Sequence, residues 1–387
     1  MDKRVYLLMI VSFVAGLVEL IIVGILDLVA ADLGIKLLQA GLFISAFSVT
    51  FAISAPVLLL MTRKIERKKL LLLTLTAFFF ANVFATVSHT FWTFMIARMI
   101  SAMSAALLVV LSITIASKIS TPEKRGRAIG LVYMGVSGSL VLGVPIGVLI
   151  GNMFSWQAPF IFISLLTLLA MIGIYFLLPP MEPSSPVPWK EQWNSIKNKQ
   201  VIFAHLSTLL FLAGHYTLYG YLSPYLKLII GMEDVWMSVV YWVFGIAAIT
   251  GGGLGGMLSD RVGIKATAFS VIFLFIMTFI LIPLSSFIPV FIVLTVIWGA
   301  MSWALSPPLQ NHLYDIAPNT SDIQQSMNNS ALHFGIAFGS FIGGVVIEWG
   351  SLSCNPYVGA FFALLAFSTL LLSFFFGRDE NWQEKRG

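Results

Sequence analysis

Twelve long apolar runs determine what this chain can fold into. They cover residues 5–30, 39–61, 70–88, 91–117, 128–150, 158–178, 201–226, 236–258, 266–287, 289–313, 324–348 and 356–376. About 20 consecutive apolar residues cross the hydrocarbon core of a bilayer as an α-helix, and 58% of the 387 residues are hydrophobic. The runs therefore predict an all-α polytopic membrane protein with twelve transmembrane helices.

The basic residues predict the orientation of these helices. If the N-terminus is cytoplasmic, nineteen of the 22 Lys and Arg residues lie in cytoplasmic loops and tails. Only Lys36 and Lys227 fall on the other side, and Arg98 lies inside a run. An excess of Lys and Arg marks the cytoplasmic face, so both termini are predicted to be cytoplasmic. The basic residues form no single patch, and a nucleic-acid partner is not expected.

The two halves of the chain repeat each other. Gly143-Val-Pro-Ile-Gly147 recurs as Gly339-Ser-Phe-Ile-Gly343, and the same offset of 196 carries Pro122 onto Pro318. Parallel repeats with a substrate site between them at mid-depth are typical of one large class of transporters. The sequence therefore predicts two pseudo-symmetric six-helix bundles that rock around a central site.

A proline-rich segment divides these halves. The predicted organisation is an N-terminal six-helix bundle over residues 1–178, a cytoplasmic linker over 179–200, a C-terminal bundle over 201–377 and a cytoplasmic tail over 378–387. No loop or tail is long enough to fold alone, which disfavours a receptor or scaffold.

Glu19 and Arg98 are charged residues inside apolar runs, where a charge is costly and usually functional. Glu19 lies roughly 21 Å from the cytoplasmic end of its helix, and Arg98 roughly 10 Å from the outer end of another. In a core about 30 Å thick these depths coincide, so the two side chains are predicted to meet or to share a water-filled cavity. Glu19 is the predicted proton carrier with Arg98 as its partner. The alternative is a fixed ion pair between two helices.

His215 lies at the position equivalent to Glu19, since the repeat offset separates them. It is a candidate for proton coupling, and a neutral hydrogen-bonding role is equally compatible with the sequence. Tyr219 lies one helical turn further along the same face and is a candidate for stacking on a ligand.

The eleventh run carries the most polar face in the chain. Its candidate substrate-binding residues are Gln325, Asn328, Asn329 and His333, with Gln324 beside them. Carboxamides offer paired donors and acceptors that suit the edge of a heterocyclic base. Hydrogen bonding between helices is an equally good interpretation of each residue. Tyr241, Trp242, Trp298 and Trp303 are candidates for an aromatic wall.

A loop motif gives the first resemblance to a known family. Residues 255–265, with Asp260, Arg261 and Gly263, resemble the second copy of the cytoplasmic loop motif of the major facilitator superfamily. The first copy departs from the pattern: Arg63 stands in place of the aspartate and Glu66 in place of the glycine. The resemblance implies the major facilitator fold and a conformational role for these residues.

Two helix motifs narrow the resemblance. Arg98 and the serines after it resemble the arginine motif of proton-coupled members, and Gly143, Pro145 and Gly147 resemble the antiporter motif. Together they imply a twelve-helix drug:proton antiporter. Residues 16–20, 213–219 and 321–326 further resemble a bacterial purine base and nucleoside efflux pump.

The sequence thus predicts a monomeric, proton-coupled exporter in the bacterial inner membrane, surrounded by lipid and acting on a purine base or nucleoside. The driving force is a proton gradient, and no cofactor or metal is expected. Cys354 is the single cysteine, which excludes an internal disulfide and any multi-thiolate metal site. No catalytic constellation or ATP-binding glycine loop supports an enzyme or an ATP-driven pump. Multidrug or sugar efflux and uncoupled facilitation are the alternative functions.

Overall fold

The computed structural model describes residues 2–121, 125–183, 198–285 and 287–384. Within these ranges, twelve helices are long and apolar enough to span a membrane. They are Lys3–Gly24 (α1), Leu37–Leu59 (α2), Arg67–Thr86 (α3), Phe91–Ile119 (α4), Arg127–Met153 (α5), Ala158–Leu177 (α6), Lys199–Tyr219 (α7), Trp236–Val262 (α8), Ile264–Leu284 (α9), Ile288–Ile316 (α10), Ile323–Trp349 (α11) and Leu352–Phe376 (α12). The predicted all-α fold with twelve spanning helices is confirmed.

Local breaks separate some predicted runs into two helices. The first run ends as α1 at Gly24, because Ile25 leaves the helical region with φ −123° and ψ 16°, and a short helix then covers Leu26–Asp32. The seventh run stops at Tyr219, where Gly220 forms the C-cap. Gly220 has φ −59° and ψ −21°, so it does not use the left-handed conformation with which glycine often ends a helix.

Prolines shape two other helices. α5 contains a π-helical segment, Ser139–Gly143, just before Pro145. Proline lacks the N–H that a continuous helix needs at that point, and such widened turns absorb the mismatch. α10 breaks at Leu305, and a new helix, Ser306–Ile316, starts with two prolines in its first turn, where the missing N–H groups cost little.

The chain forms two compact units. The first contains Met1–Pro186, Leu222–Lys227 and Met232–Trp242; the second contains Val187–Tyr221, Leu228–Gly231 and Val243–Gly387. Two short segments from the second half of the sequence thus belong to the unit formed by α1–α6.

The predicted linker and tail are covered only in part. Most of the linker, residues 184–197, lies outside the described residues. The last helix continues to Glu384, through most of the segment that the sequence predicts as a tail. The four-part division of the chain remains a prediction.

Glycines let helices approach closely within each unit. In the first unit, a Cβ atom at Gly135 of α5 would collide with the carbonyl oxygen of Met9 in α1. In the second, a Cβ at Gly339 of α11 would collide with the carbonyl of Ala213 in α7. Small residues at such positions allow backbone-to-backbone packing in membranes. This packing fixes α1 and α7, the two helices that carry Glu19 and His215.

Candidate functional site

Arg98 of α4 is fixed against α1 in the interior of the first unit. Only 1% of its surface is exposed. Its Nη1 donates a hydrogen bond to the carbonyl oxygen of Val18 at 2.5 Å, and its Cζ lies 4.2 Å from the centroid of the Phe47 ring. The guanidinium is therefore held by one hydrogen bond and one cation–π contact.

Glu19 follows Val18 directly and interacts electrostatically with Arg98. Its side chain is half-buried, whereas the guanidinium is enclosed. The structure thus brings together the two charged residues whose depths coincide in the sequence. A carboxylate beside a buried cation is a candidate for proton exchange.

Two hydrogen-bond donors of the Arg98 guanidinium have no acceptor among the described residues. Its Nε and Nη2 atoms are buried and have no hydrogen-bond partner within the described part of the chain. A buried N–H group without an acceptor is costly, especially when it carries charge. These donors favour an acceptor beside them, such as a charged carboxylate or a polar ligand.

The antiporter-motif residues of α5 support this part of α1. A Cβ at Gly143 would lie 2.6 Å from Cδ1 of Leu17, and one at Gly147 would collide with Ile21. Pro145 lies in the first turn after the π-helical segment and is buried. Gly143 and Gly147 therefore pack α5 against α1 on both sides of the level of Glu19. Their conformational role remains a prediction.

His215 of α7 accepts hydrogen bonds inside the second unit. Its Nδ1 accepts from Nε1 of Trp298 at 2.9 Å, and the Ser302 hydroxyl lies 3.1 Å from the same atom. Indole nitrogen can only donate. Nδ1 therefore carries no proton in this arrangement, and the ring is the neutral tautomer with hydrogen on Nε2. Adding a proton to Nδ1 would break the bond to Trp298.

Aromatic rings enclose His215. The Tyr219 ring stacks on the imidazole with centroids 4.9 Å apart, and the Phe244 ring lies 4.9 Å from that of Tyr219. Trp298 completes the group at 5.0 Å from Phe244, and all four residues are buried. We call His215, Tyr219, Phe244 and Trp298 the aromatic cluster. It is uncharged, in contrast to the surroundings of Glu19.

Part of the polar face of α11 forms hydrogen bonds with α7. Gln324 and Asn328 point to α7, where Nε2 of His205 lies 2.9 Å from Oε1 of Gln324. Asn328 Oδ1 lies 3.4 Å from Nδ1 of His205 and accepts from the Thr208 hydroxyl at 2.7 Å. For Asn328, the hydrogen bonding between helices that the sequence left open is therefore present. Sequence reasoning missed His205 and Thr208, although their spacing of three places them on one helix face.

The other candidates on α11 differ in exposure. Asn329 is exposed, Gln325 is half-buried and His333 is buried. The amides of Asn329 and Gln325 are thus accessible for recognition of a ligand. Their role in binding remains a prediction.

The candidates for the aromatic wall come from both units, and the wall itself remains a prediction. Tyr219 and Trp298 lie together in the second unit, whereas Tyr241 belongs to the first unit and donates its hydroxyl to the carbonyl of Val23 at 3.2 Å. Trp242 is 48% exposed and Trp303 is 37% exposed. Periodicity could not separate these residues, because their helices are apolar on every face.

Asp27 forms a polar contact that the sequence analysis missed. Its Oδ1 accepts from the Ser223 hydroxyl at 2.7 Å, and its Oδ2 lies 3.7 Å from Nζ of Lys227. Asp27 and Ser223 are 196 residues apart, which is the repeat offset, so equivalent positions of the two halves touch. All three residues belong to the first unit.

The two copies of the loop motif fold differently. In the second copy, Gly263 has φ +93°, a conformation that favours glycine, and Asp260 and Arg261 are exposed. In the first copy, Glu66 has φ −55° and caps α3 by accepting from the backbone N–H groups of Lys68 and Lys69 at 2.8 and 2.9 Å. The glycine of the motif is thus replaced by a helix cap.

The Glu66 cap also holds the start of the linker. Its Oε1 accepts from the backbone N–H of Met181 at 2.6 Å, and the Arg67 N–H donates to the Met181 carbonyl at 3.0 Å. Burial raises the pKa of the Glu66 carboxyl, but hydrogen bonds from the backbone N–H groups of Met181, Lys68 and Lys69 outweigh this effect and leave the pKa below its usual value.

Within the described residues, no group of His, Cys, Asp and Glu could hold a metal ion.

Among the described residues, twelve spanning helices in two units, with a charged pair inside the first unit, define a polytopic membrane transporter. The chain belongs to the Major Facilitator Superfamily, because residues 8–323 match the model of that family. The resemblance in the loop and helix motifs is thereby confirmed at the level of the superfamily. Members of this family are transporters, so the protein is a multi-pass membrane transporter and not an enzyme.

Several relatives match the chain over nearly its whole length. It is 40% identical to the uncharacterized MFS-type transporter YbcL of Bacillus subtilis (strain 168), over 96% of this chain and 95% of the relative. It is 25% identical to a probable sugar efflux transporter of Helicobacter pylori (strain J99), over 94% and 93%. An inward-facing, occupied crystal structure of a bacterial homologue of the human lysosomal transporter Spinster superposes with a TM-score of 0.81 at 15% identity, over 96% of each chain. This last similarity concerns the fold alone.

Proposed function

We propose that the protein is a proton-coupled exporter of the bacterial inner membrane, with both termini in the cytoplasm. It releases a purine base or nucleoside in exchange for protons. The observation that carries the proposal is the electrostatic interaction between the Glu19 carboxyl group and the buried guanidinium of Arg98. Charged side chains inside a membrane cost free energy, and those that are found there usually have a function.

The geometry supports a specific role for each charge. When Glu19 is ionised, it satisfies the positive charge of Arg98. A proton that neutralises Glu19 removes this attraction, while the bond to Val18 keeps the guanidinium in place. The Nε and Nη2 donors then favour an acceptor on the substrate. The ionised Glu19 and an acceptor on the substrate thereby compete for one cation, which links the protonation of Glu19 to substrate binding.

The accessible amides of α11 support a heterocyclic substrate. Gln325 and Asn329 present carboxamides that are not among those engaged with His205. A carboxamide pairs with the donor and acceptor on a purine edge, as Asn and Gln do with adenine. In the same unit, Tyr219 and Trp298 belong to the aromatic cluster, where their rings lie edge to face with centroids 6.0 Å apart.

Sugar efflux is the second candidate, because relatives over nearly the whole chain are named as probable sugar efflux transporters. Carboxamides also bind sugar hydroxyls, so Gln325 and Asn329 suit either substrate. An uncoupled facilitator would leave Glu19 without a role in driving transport.

Uptake into inverted membrane vesicles distinguishes these functions. Radiolabelled hypoxanthine, adenosine and a neutral sugar are each offered with and without an imposed pH gradient. We expect gradient-dependent uptake of the purines, lost in Glu19→Gln and kept in the matched control Glu233→Gln, whose carboxylate is exposed outside the spanning helices. If only the sugar is taken up, the substrate is a sugar and not a purine. If uptake changes neither with the pH gradient nor in Glu19→Gln, the protein is an uncoupled facilitator.

A further inference from the structure

The loop between α2 and α3 is strongly basic. Five of residues 62–69 are basic, namely Arg63, Lys64, Arg67, Lys68 and Lys69, and one is acidic. Arg63, Lys64 and Lys69 are exposed. The equivalent loop of the second half, residues 255–265, carries only Arg261 and Lys265, with Asp260 beside them. The two loops therefore differ by three units of formal charge.

The one acidic residue of the first loop is engaged by the backbone. The two carboxylate oxygens of Glu66 accept from the N–H groups of Lys68, Lys69 and Met181. They cap the helix and tie down the start of the linker. The exposed ammonium groups of Lys64 and Lys69 are thus left facing the solvent side of the loop.

An apolar and aromatic surface adjoins this basic loop. Nζ of Lys68 lies 5.7 Å above the ring of Tyr175, which is 61% exposed and lies two residues before the end of α6. Met61, at the end of the helix that precedes the loop, is 75% exposed, and Leu177 is 58% exposed. Charged, aromatic and aliphatic groups thus follow one another across the membrane boundary, as the headgroup, interface and acyl chains of a lipid do.

We propose that Lys64, Lys68 and Lys69, together with Tyr175, form a binding site for the headgroup of an anionic phospholipid. Basic residues directly beside a spanning helix attract acidic lipids by about 1 kcal/mol each. Lipid phosphate meets the three ammonium groups, and the acyl chains lie along Met61 and Leu177.

The second half of the chain provides an internal control. Lys265 lies 5.7 Å above the ring of Phe374, and Lys199 lies 5.4 Å above that of Phe376. These contacts repeat the geometry of Lys68 on Tyr175, but the loop that holds Lys265 carries only one other basic residue, Arg261. A site that depends on the density of basic residues, rather than on a lysine over a ring, is therefore expected in the first loop.

The test measures the affinity of the purified full-length protein for phosphatidylglycerol in mixed micelles, read from the rise in its thermal unfolding midpoint. We expect Lys68→Gln/Lys69→Gln to weaken the apparent affinity about 25-fold, which is about fivefold for each lysine. Lys199→Gln/Lys265→Gln removes the same charge and should change it less than threefold. Lys68→Arg/Lys69→Arg should retain binding, which guards against a folding defect.

Three outcomes would overturn the site. Equal losses in both Gln pairs would mean that only overall charge matters. Equal stabilisation by phosphatidylcholine would show that the headgroup charge is not recognised. Equal stabilisation by soluble glycerol phosphate at the same concentration would assign the loop to a free anion instead of a lipid.

Discussion

Glu19 and His215 occupy equivalent positions in the two halves of the chain, yet their surroundings are opposite. Glu19 is half-buried and adjoins the enclosed charge of Arg98. His215 is buried among aromatic rings, and its Nδ1 is taken by the indole N–H of Trp298. The repeat therefore preserved the depth of a polar residue and changed its chemistry. We infer that proton exchange belongs to α1 and α4, and that α7 contributes an uncharged stacking surface.

The largest effect is expected at Glu19. Glu19→Gln keeps the size of the side chain and removes its ability to ionise, so gradient-driven uptake should fall at least about tenfold, as expected when a proton-transfer group is lost. Substrate exchange without a gradient should persist in the same vesicles. Full gradient-driven uptake in the variant would contradict the assignment of proton exchange to α1.

Arg98→Lys should have the next largest effect. A lysine keeps the charge, but its single ammonium cannot bond to the Val18 carbonyl, pack on Phe47 and face Glu19 at the same time. We expect uptake to fall about tenfold, since one well-placed charged hydrogen bond is worth about 1.5–3 kcal/mol. Initial rates at several pH values would measure this. A lysine variant with native rates would show that charge alone suffices.

Trp298→Phe should have a smaller effect of a different kind. It removes the N–H donor to His215 and keeps an aromatic ring in the cluster. We expect a loss of about 1 kcal/mol in the free energy of unfolding, the usual cost of one hydrogen bond, and an unchanged pH profile of transport. Thermal unfolding and uptake rates measure the two quantities separately. A shifted pH profile in Trp298→Phe would show that His215 takes part in proton coupling. The proposed difference between Glu19 and His215 would then be wrong.

The smallest effect is expected at Glu66, which marks the difference between the two loop copies. Its pKa is lower in the folded protein than in the unfolded chain. Its contribution to stability is therefore present above the unfolded value, about 4.3, and is lost as the pH falls through the folded value. Glu66→Gln should cost about 1 kcal/mol near neutral pH, as other lost caps do.

Unfolding midpoints between about pH 3 and pH 7 check this prediction. The midpoint of the native protein should approach that of Glu66→Gln as the pH falls. Parallel curves for the two proteins would mean that the carboxylate contributes nothing through its charge.

Sequence alone reached the fold and one part of the site. Helical rise is constant, so counting residues placed Glu19 and Arg98 at one depth, and the structure has them interacting. The rotation of a helix about its axis could not be predicted in the same way, because a helix that is apolar on all sides shows no preferred buried face. For this reason the sequence did not determine the neighbours of Tyr241 and Trp298. They belong to different units, and a shared aromatic wall remains a prediction. It also could not choose between a substrate and His205 as the partner of Asn328.

The contact between Asp27 and Ser223 has a consequence for the symmetry of the chain. With identical halves, equivalent positions would carry the same residue. Two aspartates there would place carboxylates within hydrogen-bonding distance, where like charges repel. In this chain one position carries the aspartate and the other a serine that donates to it, so the contact is a hydrogen bond. At this point the fold is stabilised by a departure from symmetry between the halves.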